Sequence, residues 1–210
     1  MENRNRLELN GVIIAGGQSS RMGADKALLM VDGRPLLVSM IDRLSQRCGK
    51  IVIAVGDSER VQAYKEAIAA YRTTASPPPA AISFAIDRYA GCGPLAGLHA
   101  GLSELQEGYA LVMGCDMPQW SPSLVDRMAA AAEREDADVA HAAGQPFHAL
   151  YHARTGRQAL AQLEREDYRF MRLLEQVKAV VVEPQTEEER RAFVNLNTPE
   201  AYEAHTNPSV

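Results

Sequence analysis

No apolar run in this 210-residue sequence approaches the roughly 18 residues that a membrane span requires. The opening Met1-Glu2-Asn3-Arg4-Asn5-Arg6 lacks the apolar stretch of a signal peptide. Both absences predict a cytoplasmic protein with no membrane partner. Cysteine is scarce: Cys48, Cys92 and Cys115 are odd in number, widely spaced, and form no zinc-like pattern, which suits reduced thiols. Cys115 reads as a small buried residue. Nor is there an excess of positive charge. The 22 basic and 27 acidic residues give a net charge of −5, which argues against indiscriminate nucleic-acid binding. Internal repeats are also lacking. What remains, with 46% apolar and 23% charged residues, has the balance of an ordinary globular protein whose length suits one domain over residues 1–210.

Strand and helix signals alternate along the chain. Strands are predicted at Gly11–Ala15, Ile51–Val55, Ile82–Ile86, Ala110–Gly114, Asp138–His141, Phe147–His152 and Ala179–Glu183. Helical periodicity occupies Pro35–Gln46, Ser58–Ala70, Leu95–Leu105, Ser121–Arg134, Gly156–Glu164, Phe170–Gln176 and Pro199–His205. Pro35 suits a first helical turn, and Ser121-Pro122 reads as an N-cap followed by a permitted proline. This order implies an α/β fold, Rossmann-like in its three layers, with a mostly parallel central sheet and helices on both faces. Ligands of such sheets gather along the strand carboxyl ends. Thr73–Ala81, with Pro77-Pro78-Pro79, reads as a stiff connection, and Thr206–Val210 as a fraying end. The charge run Glu187–Arg191 reads as a solvated face.

The densest signal is the segment from Gly11 to Lys26. Val12 to Ile14 are apolar and β-branched, as in a strand covered on both faces. Gly16 and Gly17 would let a polyphosphate approach bare N–H groups, with Arg21 and Lys26 to balance its charge. The bland reading is an ordinary strand-to-helix turn; Arg21, Gly23 and Lys26 within ten residues favour a nucleoside triphosphate site. A Walker A loop is excluded because Gly23 is followed by Ala24-Asp25-Lys26-Ala27. The dinucleotide fingerprint is excluded by the spacing of Gly16-Gly17-Gln18.

Farther along, the apolar run Ala110–Gly114 delivers Asp116 to a strand carboxyl end, where Pro118 stops the strand. Asp116 is a plausible oxygen ligand for Mg²⁺, or else a cap for the next turn. Asp87 follows the apolar strand that ends at Ile86, precedes a glycine-rich stretch, and by itself reads as a turn former. Asn195 and Asn197 alternate on an extended segment, where they face a ligand or cap the helix after Thr198-Pro199. His148 and His152 read as strand-face residues rather than metal ligands, since Ala149 stands where a zinc-protease motif needs glutamate.

These residues together resemble one family. The stretch from Ile14-Ala15-Gly16-Gly17 through Arg21-Met22-Gly23 to Asp25-Lys26 is similar to the LAGGxSxRMGxDK signature of molybdenum cofactor guanylyltransferases, with Ile14 in place of leucine. Asp87, then Gly93-Pro94-Leu95-Ala96-Gly97, Cys115-Asp116-Met117-Pro118 and Asn195-Leu196-Asn197-Thr198-Pro199 follow in the family's order. The resemblance implies a nucleotide-diphospho-sugar transferase type of fold. It implies transfer of GMP from GTP to the terminal phosphate of molybdenum-molybdopterin, with pyrophosphate released and Mg²⁺ as cofactor. Ile14, Ala15, Gly16, Gly17, Lys26, Asp87, Gly93 and Asp116 would bind the nucleotide, in a nucleotide-binding N-terminal part. Arg21, Lys26 and Asp116 would be catalytic, with Asp116 on the metal. Asn195 and Asn197 would bind the acceptor in a C-terminal part. The Gly91–Gly97 loop would approach the base, the Gln145–His148 loop would precede the acceptor-side strands, and Arg169 and Arg172 would meet an acceptor phosphate. Cofactor-delivering or recipient molybdoenzymes are the implied protein partners. Ser20 replaces the second position of the usual double-arginine form, and Ala54-Val55-Gly56 stands where some members carry asparagine. A cytidylyltransferase on the same cofactor, a transferase for a sugar or another small phosphorylated acceptor, and a nucleotide-binding regulator without turnover are the rival readings.

Overall fold

A computed structural model describes residues 7–15, 25–72, 80–89 and 91–194. Gly16, Gly17, Arg21, Gly23, Asn195, Asn197 and the helix expected at Pro199–His205 lie outside the described residues, as does most of the 73–81 connection.

The elements in chain order are β1 (Leu9–Ile14), a 3-10 turn (Lys26–Leu28), β2 (Met30–Val31), β3 (Arg34–Pro35), α1 (Leu36–Leu44), β4 (Cys48–Val55) and α2 (Ser58–Tyr71). Then come β5 (Ala81–Ile86), α3 (Pro94–Ser103), β6 (Tyr109–Gly114), α4 (Pro122–Glu135), β7 (Val139–Ala142) and β8 (Gln145–His152). The described chain closes with α5 (Thr155–Leu163), α6 (Phe170–Gln176), β9 (Ala179–Val181) and α7 (Glu187–Arg191).

Seven strands form one sheet in the order β5-β4-β1-β6-β8-β7-β9. The pairs β5-β4, β4-β1, β1-β6 and β7-β9 are parallel, and β8 runs antiparallel to both β6 and β7. The sheet is therefore mostly parallel, with β8 the one reversed strand among the seven. Period-two alternation splits its two faces into two cores. Ile13, Ile51, Ile53, Leu111 and Met113 face one layer, made by α1, α4 and Tyr64 of α2. Val12, Ile14, Val52, Ala110 and Val112 face the other, made by α3, α5 and α6. Each fully buried leucine or isoleucine there contributes at most about 1.5–3 kcal/mol against exposure.

Helix α1 shows how sequence builds a layer. Leu37, Met40, Ile41 and Leu44 recur at helical spacing and all are buried. Pro35 ends β3 and is also the N-cap of α1, so it stands one residue before the first helical turn. Asp32 and Gly33, both at positive φ, form the hairpin turn. On the other face α3 sits unusually close to β1. A Cβ on Gly97 would come within 2.8 Å of Ile14 Cγ2, and one on Gly101 within 2.4 Å of Val12 Cγ1. Gly97 is thus a helix-packing residue inside α3, not part of the loop expected from sequence.

The charge run 187–191 is solvated as expected at Glu187, Glu188, Arg190 and Arg191, and departs from that reading at Glu189. It forms α7, capped by the Thr186 hydroxyl on the Glu189 amide, and Glu189 is buried. Its carboxylate accepts bonds from Arg127 at 2.7 Å, Ser123 at 2.9 Å and the Gln185 amide at 2.6 Å. Burial alone would raise the pKa of Glu189; those three bonds together bring it below its ordinary value. Ser121 does stand at the N-cap of α4, but its hydroxyl meets Ser123 rather than a helix amide.

Candidate active site

In this sheet the order of strand addition reverses at β1, which has β4 on one side and β6 on the other. A crevice at the carboxyl ends of two such strands is the usual ligand site of open α/β sheets. The register places Ile14 opposite Gly114, and the Cys115 amide still donates to the Ile14 carbonyl at 3.3 Å. So Ala15, which enters the glycine segment, and Asp116, one residue past Cys115, stand at the same edge on neighbouring strands.

Gly114 makes room for that acidic side chain. A Cβ there would lie 2.7 Å from Asp116 Oδ1, so the carboxylate folds back over the end of β6. The Met117 amide closes the turn onto the Gly114 carbonyl at 3.1 Å, and Arg43 of α1 donates to the Pro118 carbonyl at 3.3 Å. Among the described residues no three His, Cys, Asp or Glu side chains cluster as a metal cage. A single half-buried carboxylate at the sheet edge nonetheless fits Mg²⁺, which takes one or two carboxylates and draws its other ligands from phosphates and water.

Lys26 begins the 3-10 turn, which Asp25 caps: Asp25 Oδ1 accepts the Ala27 amide at 3.0 Å. Charges from both sides of the crevice meet around the buried Cys115 thiol. Burial raises its pKa first, Asp25 and Asp116 raise it further, and Lys26 and Arg60 oppose them. As expected for a small core residue, Cys115 is 7% exposed.

Asp87 follows β5, its amide bonded to the Val55 carbonyl at 2.8 Å, and so lies at the same sheet edge two strands from β1. Its carboxylate accepts the Tyr89 amide at 2.7 Å, the local turn that its neighbours allow. Gly93 caps α3 at φ +74°, a conformation that suits glycine, and Pro94 takes the first helical position. The close seat of α3 on β1 brings this cap to the crevice.

The remaining expected residues lie elsewhere on the β6–β8 side. His148 and His152 are both on β8, and Gln145-Pro146-Phe147-His148 is the start of that strand. His148 sits at φ +54°, fully buried, where pairing of β8 with β6 stops at Ala149. Burial lowers its pKa to about 4, with the backbones of Gln119 and Met117 opposing the shift. Arg169 is committed to Asp167 at 2.6 Å and Arg172 to Glu175 at 2.8 Å. Sequence reasoning missed Arg60 and Tyr64 of α2, which touch both Ala15 and Asp25.

Comparison with known proteins identifies the family and the fold. Residues 11–181 match the family of the MobA-like NTP transferase domain. A molybdenum cofactor guanylyltransferase of Vibrio atlanticus is 37% identical over 194 residues, covering 90% of this chain and 91% of that protein. A probable molybdenum cofactor guanylyltransferase of Natronomonas pharaonis is 34% identical, covering 93% and 96%. Among solved structures, molybdopterin-guanine dinucleotide biosynthesis protein A of Archaeoglobus fulgidus superposes with a TM-score of 0.75 at 20% identity, over 95% of this chain and 98% of that one. The 2-C-methyl-D-erythritol 4-phosphate cytidylyltransferase of Thermus thermophilus shares the fold with a TM-score of 0.62 at 18% identity, over 96% and 98%.

Proposed function

The chain belongs to the MobA-like NTP transferase family, and from that premise we propose that it transfers GMP from GTP to the terminal phosphate of molybdenum-molybdopterin. The reading is supported by the family match over residues 11–181, by relatives that bear that activity in their names, and by the neighbouring positions of Ala15 and Asp116 beyond the carboxyl ends of β1 and β6.

The acceptor phosphate is already ionised at neutral pH, so the reaction needs no protein nucleophile. One of its oxygens forms a bond to the α-phosphorus of GTP, and the bond from that phosphorus to the β-phosphate bridge breaks. Pyrophosphate leaves with the electron pair. The barrier lies in bringing anions together, so charge compensation and alignment supply the catalysis. In this reading Lys26 offsets phosphate charge and Arg21 the departing pyrophosphate. Asp116 would hold Mg²⁺, which when bound polarises phosphate oxygens and neutralises charge that develops on them.

In this reading Ile14, Ala15, Gly16 and Gly17 bind the nucleotide. Asp87 and the Gly93 cap belong to the nucleoside side of the pocket. Asn195 and Asn197 serve the acceptor in the C-terminal part, and protein partners would be the donors and recipients of the cofactor. No helix among the described residues is long and apolar enough to cross a membrane, and we assign the work to the cytoplasm.

The test is pyrophosphate release from each of the four nucleoside triphosphates, offered with molybdenum-molybdopterin, a sugar phosphate or no acceptor, in the presence of Mg²⁺. Release with GTP and the molybdenum cofactor alone supports the reading. CTP as the productive nucleotide, a sugar phosphate as the productive acceptor, or GTP binding without release would each replace it.

A further inference from the structure

Two side chains of α2 hold together points that lie ten residues apart in sequence. Arg60 and Tyr64 are one helical turn apart and project from the same face. Tyr64 donates its hydroxyl to Asp25 Oδ2 at 2.8 Å and stands 3.4 Å from the Ala15 carbonyl. Arg60 Nη1 donates to that same carbonyl at 3.2 Å, and its Nε lies 3.8 Å from that same Asp25 oxygen. Arg60 also pairs with Asp57, the N-cap of its own helix, at 3.4 Å.

The arrangement costs something and so needs a reason. Tyr64 is fully buried, and a buried hydroxyl between a carbonyl and a carboxylate serves polar groups that packing alone would not require. The Ala15 carbonyl lies beyond the end of β1, where a side chain can take the place of a strand partner. Asp25 has its other oxygen on the Ala27 amide, so its orientation sets the turn that begins with Lys26. Beside Ala15, at the end of the neighbouring β6, stand Cys115, whose amide meets the Ile14 carbonyl, and then Asp116.

We infer that Tyr64 and Arg60 are positioning residues of the nucleotidyl transfer: by fixing Asp25 on the carbonyl of Ala15, they set where Lys26 stands relative to Asp116. This rests on the function proposed above and deepens it. Neither residue needs to touch substrate. Tyr64→Phe keeps the ring in the core and removes only the hydroxyl. Arg60→Met keeps much of the aliphatic stem and removes the guanidinium.

The experiment measures kcat and KM for GTP, KM for the molybdenum cofactor, and thermal unfolding in the wild type and both variants. Each variant is expected to lose about tenfold in kcat/KM for GTP, the scale of one misplaced charge-assisted contact, while KM for the cofactor changes less than twofold. Wild-type kinetics for GTP in both variants would overturn the inference. So would equal losses toward both substrates that merely follow the fall in thermal stability. If Tyr64→Phe does not fold, Arg60→Met, at a partly exposed position, carries the same test. Absence of GMP transfer in the wild type would sink the functional reading instead, which keeps the two failures separate.

Discussion

Gly101→Ala sets two well-known tendencies against each other, and the structure decides between them. Alanine is favoured over glycine in a helix by about 1 kcal/mol. At position 101, however, the added methyl would meet Val12 Cγ1 at 2.4 Å, with Val12 Cγ2 at 3.4 Å and Cβ at 3.5 Å behind it. Val12 cannot yield easily. It is fully buried on β1 and paired on both sides, to Val52 and Val112. Overpacking costs about 1–3 kcal/mol, and a 2.4 Å approach to an atom that cannot yield falls in the upper part of that range, about 2–3 kcal/mol, so the net effect is a loss of about 1–2 kcal/mol. Urea unfolding reads it directly: with a slope near 2 kcal/mol/M, the midpoint should fall by about 0.5–1 M at unchanged slope. Val12→Ala removes the atoms that are struck. On that background Gly101→Ala should be neutral or stabilising, a coupling that only contacting residues show. A raised midpoint in the wild-type background would refute the packing argument.

Asp116→Ala and Lys26→Ala should each lower turnover by about 10²–10³ with thermal unfolding little changed, and wild-type rates in either purified variant would remove that residue from the mechanism. Glu189→Gln keeps the shape but removes the charge that Arg127 meets, and should cost about 1–2 kcal/mol because Arg127 is still 31% exposed; an unchanged urea midpoint would show the pair to be idle. His148 gives a pH signature. Its folded pKa of about 4 lies below the ordinary value of 6.5, so the unfolded state binds the extra proton between them. Its contribution is complete above pH 6.5 and is lost as pH falls to about 4, at most about 3 kcal/mol. His148→Phe should flatten the stability profile over that interval, and an unchanged slope would contradict the assignment.

The sequence made the sheet legible because its strands are continuous apolar runs bounded by turn residues. Ile51–Val55 and Ala110–Gly114 fall within β4 and β6, and the helix over 170–176 is found at its expected bounds. Direction was less legible: nothing in the apolar residues of β8 marks it off from the other strands of the sheet, and only pairing reveals that it runs antiparallel to β6 and β7. The hairpin of β2 and β3 did carry a signal in Asp32-Gly33, but strands of two residues are too short for periodicity to mark. Gly97 was read with the loop around Pro94, and the packing role of Gly101 within the predicted helix went unseen, because a close approach to another strand has no local signature. Glu189 looked solvated because burial depends on Arg127 and Ser123, some 60 residues away. At the site, Asp116 and Lys26 stand out by residue type and neighbours, whereas Tyr64 and Arg60 resemble any helix residues until Ala15 and Asp25 are seen beside them.

A crystal structure with Mg²⁺ and a non-hydrolysable GTP analogue tests the central claim most directly. The triphosphate should lie across the carboxyl ends of β1 and β6, with Lys26 and the Asp116-bound cation on the same phosphate chain. A nucleotide seated at any other edge of the sheet, with Asp116 away from both phosphate and metal, would contradict it.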